Sequence, residues 1–439
     1  MAVENVVSQG APQEKSKIEG RWRSALSLTF ANMMDGNEGA GFITTMFPLI
    51  RAQLGMSLGT LGSVKAITKI MAVIFGPFWA TIGRKYNRKK VLIFVTGIWG
   101  LWAIAIGLAQ NVTQLVVFLI VSLIGSSASA PLMQELLMDL FGDDERGRAM
   151  SIVFGLSGIF VLPMMGVNAW LSGMDSGWRY GFYGAGILSA LSGLLIWIFL
   201  KDPGRGASDG VQQKEALQES YGFVKWSEVK ELFKVKTFVL MLVQRILSGH
   251  LLMISMGVIY MTDVLGFDLQ TANLMMMPFA VGALVGMFSF GYIGDWINRK
   301  NPKYGRIASI QFLQGAYAIV AFFGTQLFYN SLVLYAVLFF LMGFFGASNM
   351  AVNRPIVASV VKPELRGTAF ALYVSVFESI AWAIFNLAAG HIGEVVGLKP
   401  VFLAVLVILM AINTIVISFI YKPYAHDVKA LKAELAARS

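Results

Sequence analysis

No cysteine occurs in this chain of 439 residues, and histidine occurs only three times. Disulfides, thiolate nucleophiles and cysteine-ligated metals are excluded, and a histidine-based metal site has too few ligands to draw on. Charge is scarce as well. Asp, Glu, Lys and Arg make up 14% of the residues, against about 25% in an ordinary soluble domain. No Gly-X-X-X-X-Gly-Lys-Ser/Thr loop is present to cradle nucleotide phosphates, so ATP is not the expected energy source. The first ~17 residues are polar (Glu4, Gln9, Lys15, Lys17) and lack the charged-apolar-small order of a cleaved leader, so no processing is expected.

What fills the chain instead is apolar residue, 56% of it. It comes in twelve segments, at 23–50, 57–82, 90–110, 113–141, 149–172, 178–200, 236–262, 271–294, 305–326, 331–353, 366–393 and 397–421. A bilayer needs roughly 20 apolar residues per helical span. These runs are too long and continuous for barrel strands, so an all-α integral membrane protein is expected. Net charge is +10, and its location carries the information. Loops 84–90, 142–148, 295–306 and 354–366 hold fourteen Lys and Arg, whereas the opposite loops hold only Arg51, Arg179 and Lys399. Positive loops stay inside. The first set is therefore expected in the cytoplasm, and an even number of spans puts both termini there. This pattern reports orientation and gives no reason to expect a nucleic acid.

One internal loop is long. Residues 201–235 are polar and separate six spans, 23–200, from six more, 236–421. Within the loop, 224–233 reads as a short amphipathic interfacial helix. Residues 1–22 and 422–439 read as cytoplasmic tails, with Asp427 to Arg438 helix-prone and solvated. Two motifs then repeat in matching order. Ile-Gly-X-X-X-Asn-Arg-Lys starts at Ile82 and again at Ile293, 211 residues later. Arg146-Gly147-Arg148-Ala149 follows the fourth span, and Arg366-Gly367-Thr368-Ala369 follows the tenth. Such paired signals indicate a duplicated six-helix unit, the architecture of a transporter.

Over essentially its whole length the chain resembles the major facilitator superfamily. The family's loop between its second and third helices reads roughly Gly-X-X-X-Asp-Arg-X-Gly-Arg-Lys. Gly291, Asp295, Arg299 and Lys300 match it in the second half. Lys85, Arg88 and Lys89 match it in the first, with Arg84 where the Asp belongs. Residues 76–92, Asp35 and the loop from Arg299 to Arg306 look most similar to the spinster-like branch. Gly36 stands where that branch carries Arg, and Ser126-Ser127 where it carries Glu. The resemblance implies two pseudo-symmetric six-helix bundles and a latch of carboxylate and guanidinium at the cytoplasmic helix ends. Its gating residues would be Arg84, Lys85, Arg88, Arg146, Asp295, Arg299 and Arg366, with Asp139 replacing the negative charge lost at Arg84.

Ionisable residues within spans are costly, on the order of 2.5–3.5 kcal/mol each or more, and mark function. At ~1.5 Å per residue, Asp35 lies roughly 16–18 Å into the first span, with Glu38 on the same face. Lys65 and Lys69 share a face of the second span, Lys65 at about the depth of Asp35. Either these charges form a structural pair across the first two spans, or Asp35 and Glu38 take up the coupling proton while a Lys alternates between carboxylate and anionic substrate. Arg245 lies ~15 Å into the seventh span and is suited to clamping an anion or to packing helices together. Glu378 lies ~18 Å into the eleventh, with Trp382 and Asn386 at one and two turns beyond, a stripe expected to face a cavity. Substrate binding is assigned to Lys65, Lys69, Arg245, Trp382 and Asn386, and proton coupling to Asp35, Glu38 and Glu378. Glu135, near one end of the fourth span, reads as structural, and His250 and His391 as packed. Met275-Met276-Met277 reads as core or lipid-facing, although methionine-rich cavities suit amphipathic ligands.

The expected protein is a proton-coupled secondary transporter in the cell inner membrane. It would work as a monomer by alternating access, take a small organic anion and need no cofactor beyond the proton gradient. The alternative is an exporter of amphipathic compounds, drugs or lysolipids. No nucleophile-base pair or metal constellation suggests an enzyme.

Overall fold

The computed structural model describes residues 20–38, 40–141, 143–204 and 226–438, and among them every regular element is helical. Span α1 runs in three pieces, Arg21–Glu38, Ala40–Thr45 and Phe47–Leu54. It is followed by α2 (Leu58–Lys85), α3 (Arg88–Leu108), α4 (Val112–Ser126 and Ser129–Leu140), α5 (Asp143–Ser172) and α6 (Gly177–Phe199). The second six are α7 (Lys236–Ile246 and Leu251–Asp263), α8 (Leu269–Lys300), α9 (Gly305–Gln326), α10 (Leu332–Val360), α11 (Arg366–Val396) and α12 (Leu398–Ser418). Among the described residues ten helices are long and apolar enough to cross a membrane, and Val112–Ser126 is a shorter apolar one.

Duplication is visible in the caps. The Ser57 hydroxyl accepts the Thr60 N–H at the start of α2, and the Asp268 carboxylate accepts the Thr271 N–H at the start of α8. The two caps are 211 residues apart, the same offset as the Asn-Arg-Lys loops. Each satisfies a donor that the first helical turn would otherwise leave orphaned.

Several spans are interrupted for local reasons. In α1, Pro48 sits in the first turn of Phe47–Leu54, where its missing N–H ends the preceding helix. In α7 the chain unwinds between Ile246 and Leu251. There Gly249 lies so close to α12 that a Cβ would fall 2.0 Å from the Val405 carbonyl oxygen. In α11, π-helical turns at Ala371–Phe377 and Ala388–Ile392 bracket the α-helical Glu378–Leu387. Such turns are rare and recur at functional sites.

The apolar core divides unequally along the long axis. At the end away from the Asn-Arg-Lys loops, one cluster spans both halves, joining Phe42, Ile43 and Met46 of α1 to Leu252 and Met256 of α7. At the loop end there are two separate clusters. One contains Leu28, Leu132 and Leu136, the other Phe238, Ile307 and Ile356. Every hydrogen bond and ion pair described between the two sets of spans lies at the shared-core end. Arg51 holds Asp263 bidentately at 2.7 and 2.8 Å. The Gly59 N–H donates to Glu394 at 2.9 Å, Ser63 Oγ meets His391 Nε2 at 3.0 Å, and Asn273 Nδ2 donates to the Thr45 carbonyl at 3.1 Å. Here α2 packs against α11, and α5 against α8. Gly62 permits the first contact, since a Cβ there would lie 2.4 Å from the Asn386 carbonyl oxygen.

Two further segments are helical. The expected short helix forms at Trp226–Leu232, with Leu232 buried in the core of the second half beside Val360 and Leu365. Residues 205–225 lie outside the described residues. The helix-prone tail is helical, Tyr421–Arg438, and it buries Tyr424 and Leu431 instead of being wholly solvated. Asp427 accepts the Thr237 N–H at 2.9 Å, capping α7 from outside its sequence. Lys362 joins the two segments, 2.8 Å from both Glu231 and Glu434. Those hydrogen bonds, Glu231's first, hold its pKa above the ordinary lysine value.

Candidate functional site

The π-helical turns before Glu378 bring Tyr373 and Glu378 of α11 to the same neighbour, Arg245 of α7. The Arg245 guanidinium is ion-paired with the Glu378 carboxylate. It also lies 5.5 Å from the centre of the Tyr373 ring. Tyr373 in turn donates its hydroxyl to Gln244 Oε1 at 3.1 Å, so the ring is fixed from the residue beside Arg245. The Arg245 side chain is 4% exposed and Glu378's 19%, so the carboxylate is the member of the pair that solvent can reach. Arg245 Nε has no partner and keeps a donor in reserve.

From the other half, α2 brings two cations to the same place. The Lys69 ammonium lies 4.9 Å from the centre of the Trp382 ring, one turn beyond Glu378. It is within electrostatic reach of both Glu378 and Arg245. Lys65, one turn earlier on α2, is 3% exposed and within reach of Lys69. Neither lysine makes an ion pair among the described residues. The side chains of Asp35 and Glu38, and with them the expected pairing of α1 with Lys65, lie outside the described residues. The described cluster thus holds three cations and one carboxylate, drawn from both halves. Burying unpaired ammonium groups is unfavourable unless an anion completes the site.

Asn386 does not share the cavity face expected of it. It is 1% exposed, sits in the close α2–α11 contact at Gly62, and donates to the Trp382 carbonyl at 2.8 Å. His250 lies in the break of α7, buried near Arg245 with its ring 5.9 Å from Tyr317, and its Nδ1 has no partner. Tyr373 and Gln244 escaped the sequence reading. A lone Gln beside an Arg in an apolar span was the available signal for one. The π-helical register that delivers the other leaves none.

The loop residues separate by half. Arg88 is 3% exposed and is held by three carboxylates, Asp139, Glu135 at 3.1 Å and Asp202 at 2.7 Å. Its repeat counterpart Arg299 is exposed. Asp295 is 66% exposed and only 3.8 Å from Arg306, too long for a hydrogen bond. Arg366 is exposed and donates to the Ala358 carbonyl at 3.2 Å. Lys85 lies over the Tyr86 ring. The side chains of Arg84 and Arg146 lie outside the described residues. Every ion pair described at this end joins residues of one side, Arg21 with Glu145 among them.

A family model described as Major Facilitator Superfamily matches residues 26–335 and 303–438. The probable sulfoacetate transporter of Cupriavidus necator is 26% identical, over 65% of this chain and 66% of its own length. The probable L-galactonate transporter of Escherichia coli K12 is 23% identical, over 72% of this chain and 71% of its own. The matched stretch thus spans just under two thirds of the first relative and somewhat more of the second. Among solved structures, a bacterial homologue of the human lysosomal transporter spinster, inward-facing and unoccupied, superposes with a TM-score of 0.75 at 16% identity, covering 95% of this chain and 98% of that one.

Proposed function

The chain belongs to the major facilitator superfamily and is a membrane transporter rather than an enzyme, and we propose that it carries a small organic anion together with a proton by alternating access. The observation that carries this reading is the Arg245–Glu378 pair beneath two lysines contributed by the opposite half.

The chemistry follows from the pairing. While Glu378 is ionised it occupies the guanidinium of Arg245. A proton on Glu378 cancels that attraction and frees the guanidinium to take a carboxylate or sulfonate through two parallel hydrogen bonds. Proton and anion then each favour the other's binding, and such reciprocal coupling is symport. Lys65 and Lys69 reach the same anion from α2, so a bound substrate draws the halves together around itself. Asp35 and Glu38, placed by their depth in α1, are proposed as further proton sites. That two relatives are described as transporters of sulfoacetate and of L-galactonate supports an organic anion as the cargo.

The excess of positive loops supports a cytoplasmic-membrane orientation with the Asn-Arg-Lys loops and both termini inside. The shared core then seals the outer end, and the cleft opens inward. Arg88, Asp295, Arg299 and their neighbours become the residues that rearrange when the inner end closes. A monomer holds the whole site, and the proton gradient supplies the energy.

The test is uptake of radiolabelled sulfoacetate and galactonate into proteoliposomes under an imposed pH gradient. Acid outside should accelerate wild-type uptake, and Glu378→Gln should remove the acceleration while leaving counterflow exchange. Uptake indifferent to the gradient in wild type would overturn proton coupling.

A further inference from the structure

The other contact between the halves, α5 with α8, is apolar. A cavity of about 370 Å³ opens between α5 and α8, with α1 and α7 closing its sides. Its lining includes Met164, Met165, Met276, Met287, Phe42 and Ile254. The polar Asn273 on its edge is already committed, its amide donating to Thr45 and Leu269 carbonyls. The volume falls within the range of small-molecule sites, roughly 300–1,000 Å³, which are mostly apolar with a few placed polar groups.

Three observations make this more than a packing gap. Ile254 is 51% exposed on a helix whose neighbouring residues Leu252, Met253 and Val258 are buried, so an apolar side chain is presented to the cavity. The methionines come from facing helices, α5 and α8, and their unbranched, polarisable side chains adapt to ligands of varied shape. Finally, α7 carries both the cavity residue Ile254 and the guanidinium of Arg245. They are nine residues apart in sequence, on either side of the unwound turn of α7.

We propose that the transported anion is amphipathic, its acid group held by Lys65, Lys69 and Arg245 and its apolar body seated in the methionine-lined cavity between α5 and α8. This rests on the anion reading above and deepens it. The occupant is set by complementarity, because a wholly polar anion leaves the cavity's apolar surface unused and a neutral lipid leaves the cations unpaired. Each methylene moved from water into the cavity gives about fourfold in affinity, the factor that ~0.8 kcal/mol per buried CH₂ yields at 1.4 kcal/mol per decade.

The experiment titrates the full chain in lipid nanodiscs with n-alkyl sulfonates from ethane- to octanesulfonate, by calorimetry against empty nanodiscs. Wild type should gain about fourfold per methylene. Ala283→Phe and Met164→Asp, both in the cavity wall, should flatten that slope, the first by filling the space and the second by placing a charge in it. A flat wild-type slope would overturn the inference and leave the anion reading standing. A slope unchanged in both variants would put the tail in lipid and overturn it as well. Octanol binding as tightly as octanesulfonate, with a slope lost in Ala283→Phe, would support the cavity and overturn the anion. No sulfonate binding at any length would overturn both.

Discussion

Lys69 of the first half and Trp382 of the second touch across the middle of the protein, ammonium to ring centre 4.9 Å. This cation–π contact joins α2 to α11 at the charged cluster and must change whenever the halves move apart on that side. A partly desolvated contact of this kind is worth roughly 1–2 kcal/mol.

Trp382→Leu should therefore shift the balance towards opening of the sealed end about five- to thirtyfold, with Trp382→Phe between it and wild type. Amide hydrogen exchange over 58–65 and 388–394 reads the effect, since those segments hold the Gly59–Glu394 and Ser63–His391 bonds. Equal exchange in all three proteins would mean that the contact does not help hold the end shut.

The absence of cysteine makes the seal easy to lock. Ser63→Cys combined with His391→Cys places two thiols where the native side chains meet at 3.0 Å, with no other thiol in the chain. A short cleavable thiol cross-linker should stop turnover in proteoliposomes, and cleavage should restore it. Transport continuing through the cross-link would show that this end need not open.

Arg88 and Arg299 occupy equivalent repeat positions but should differ sharply in stability. Arg88→Gln removes the guanidinium that Asp139, Glu135 and Asp202 share. Removing one partner of a buried pair typically costs about 3–5 kcal/mol. Arg299→Gln, at an exposed position, should stay within about 0.5 kcal/mol. Thermal unfolding of the two variants in one detergent gives the comparison.

The cap of α8 predicts a pH dependence. Hydrogen bonds from Thr271 hold the Asp268 carboxyl below its ordinary value of 3.8. A depressed pKa contributes stability above the unfolded value and loses it as pH falls through the folded one. Asp268→Ala should lower stability by about 1 kcal/mol at pH 7, and the gap from wild type should close below pH 3.8. A gap unchanged between pH 7 and pH 3 would refute the capping role.

Much of the architecture could be read from residue order, because lipid leaves few choices. Apolar run length defines the spans, and the offset of the Asn-Arg-Lys loops marks the repeat that Ser57 and Asp268 then reproduce as caps. Arg245 and Glu378 stood out singly, as charges in apolar spans. Their partnership could not be seen, because it depends on the unwound turn near Gly249 and the π-helical turn before Glu378. Asn386 was misplaced for a related reason. Its spacing from Glu378 and Trp382 is helical, but Gly62 on a distant segment lets α2 close over it. Asp202 of the Arg88 knot lies beyond α6, where local pattern carries no information about α3.

The division of the apolar core into one shared cluster and two separate ones has a consequence for affinity. Separating the halves at the sealed end exposes joined apolar surface, whereas among the described residues the loop end holds no apolar cluster shared between them. The shared core is therefore expected to favour the state described here over the opposite one, making the latter the minority population. A ligand binding only that minority has its apparent affinity reduced by the minority's fraction. The same binding groups should thus look weaker from the sealed face than from the loop face. Measured on membranes of both orientations, the ratio of the two apparent constants would report the energy of the shared core.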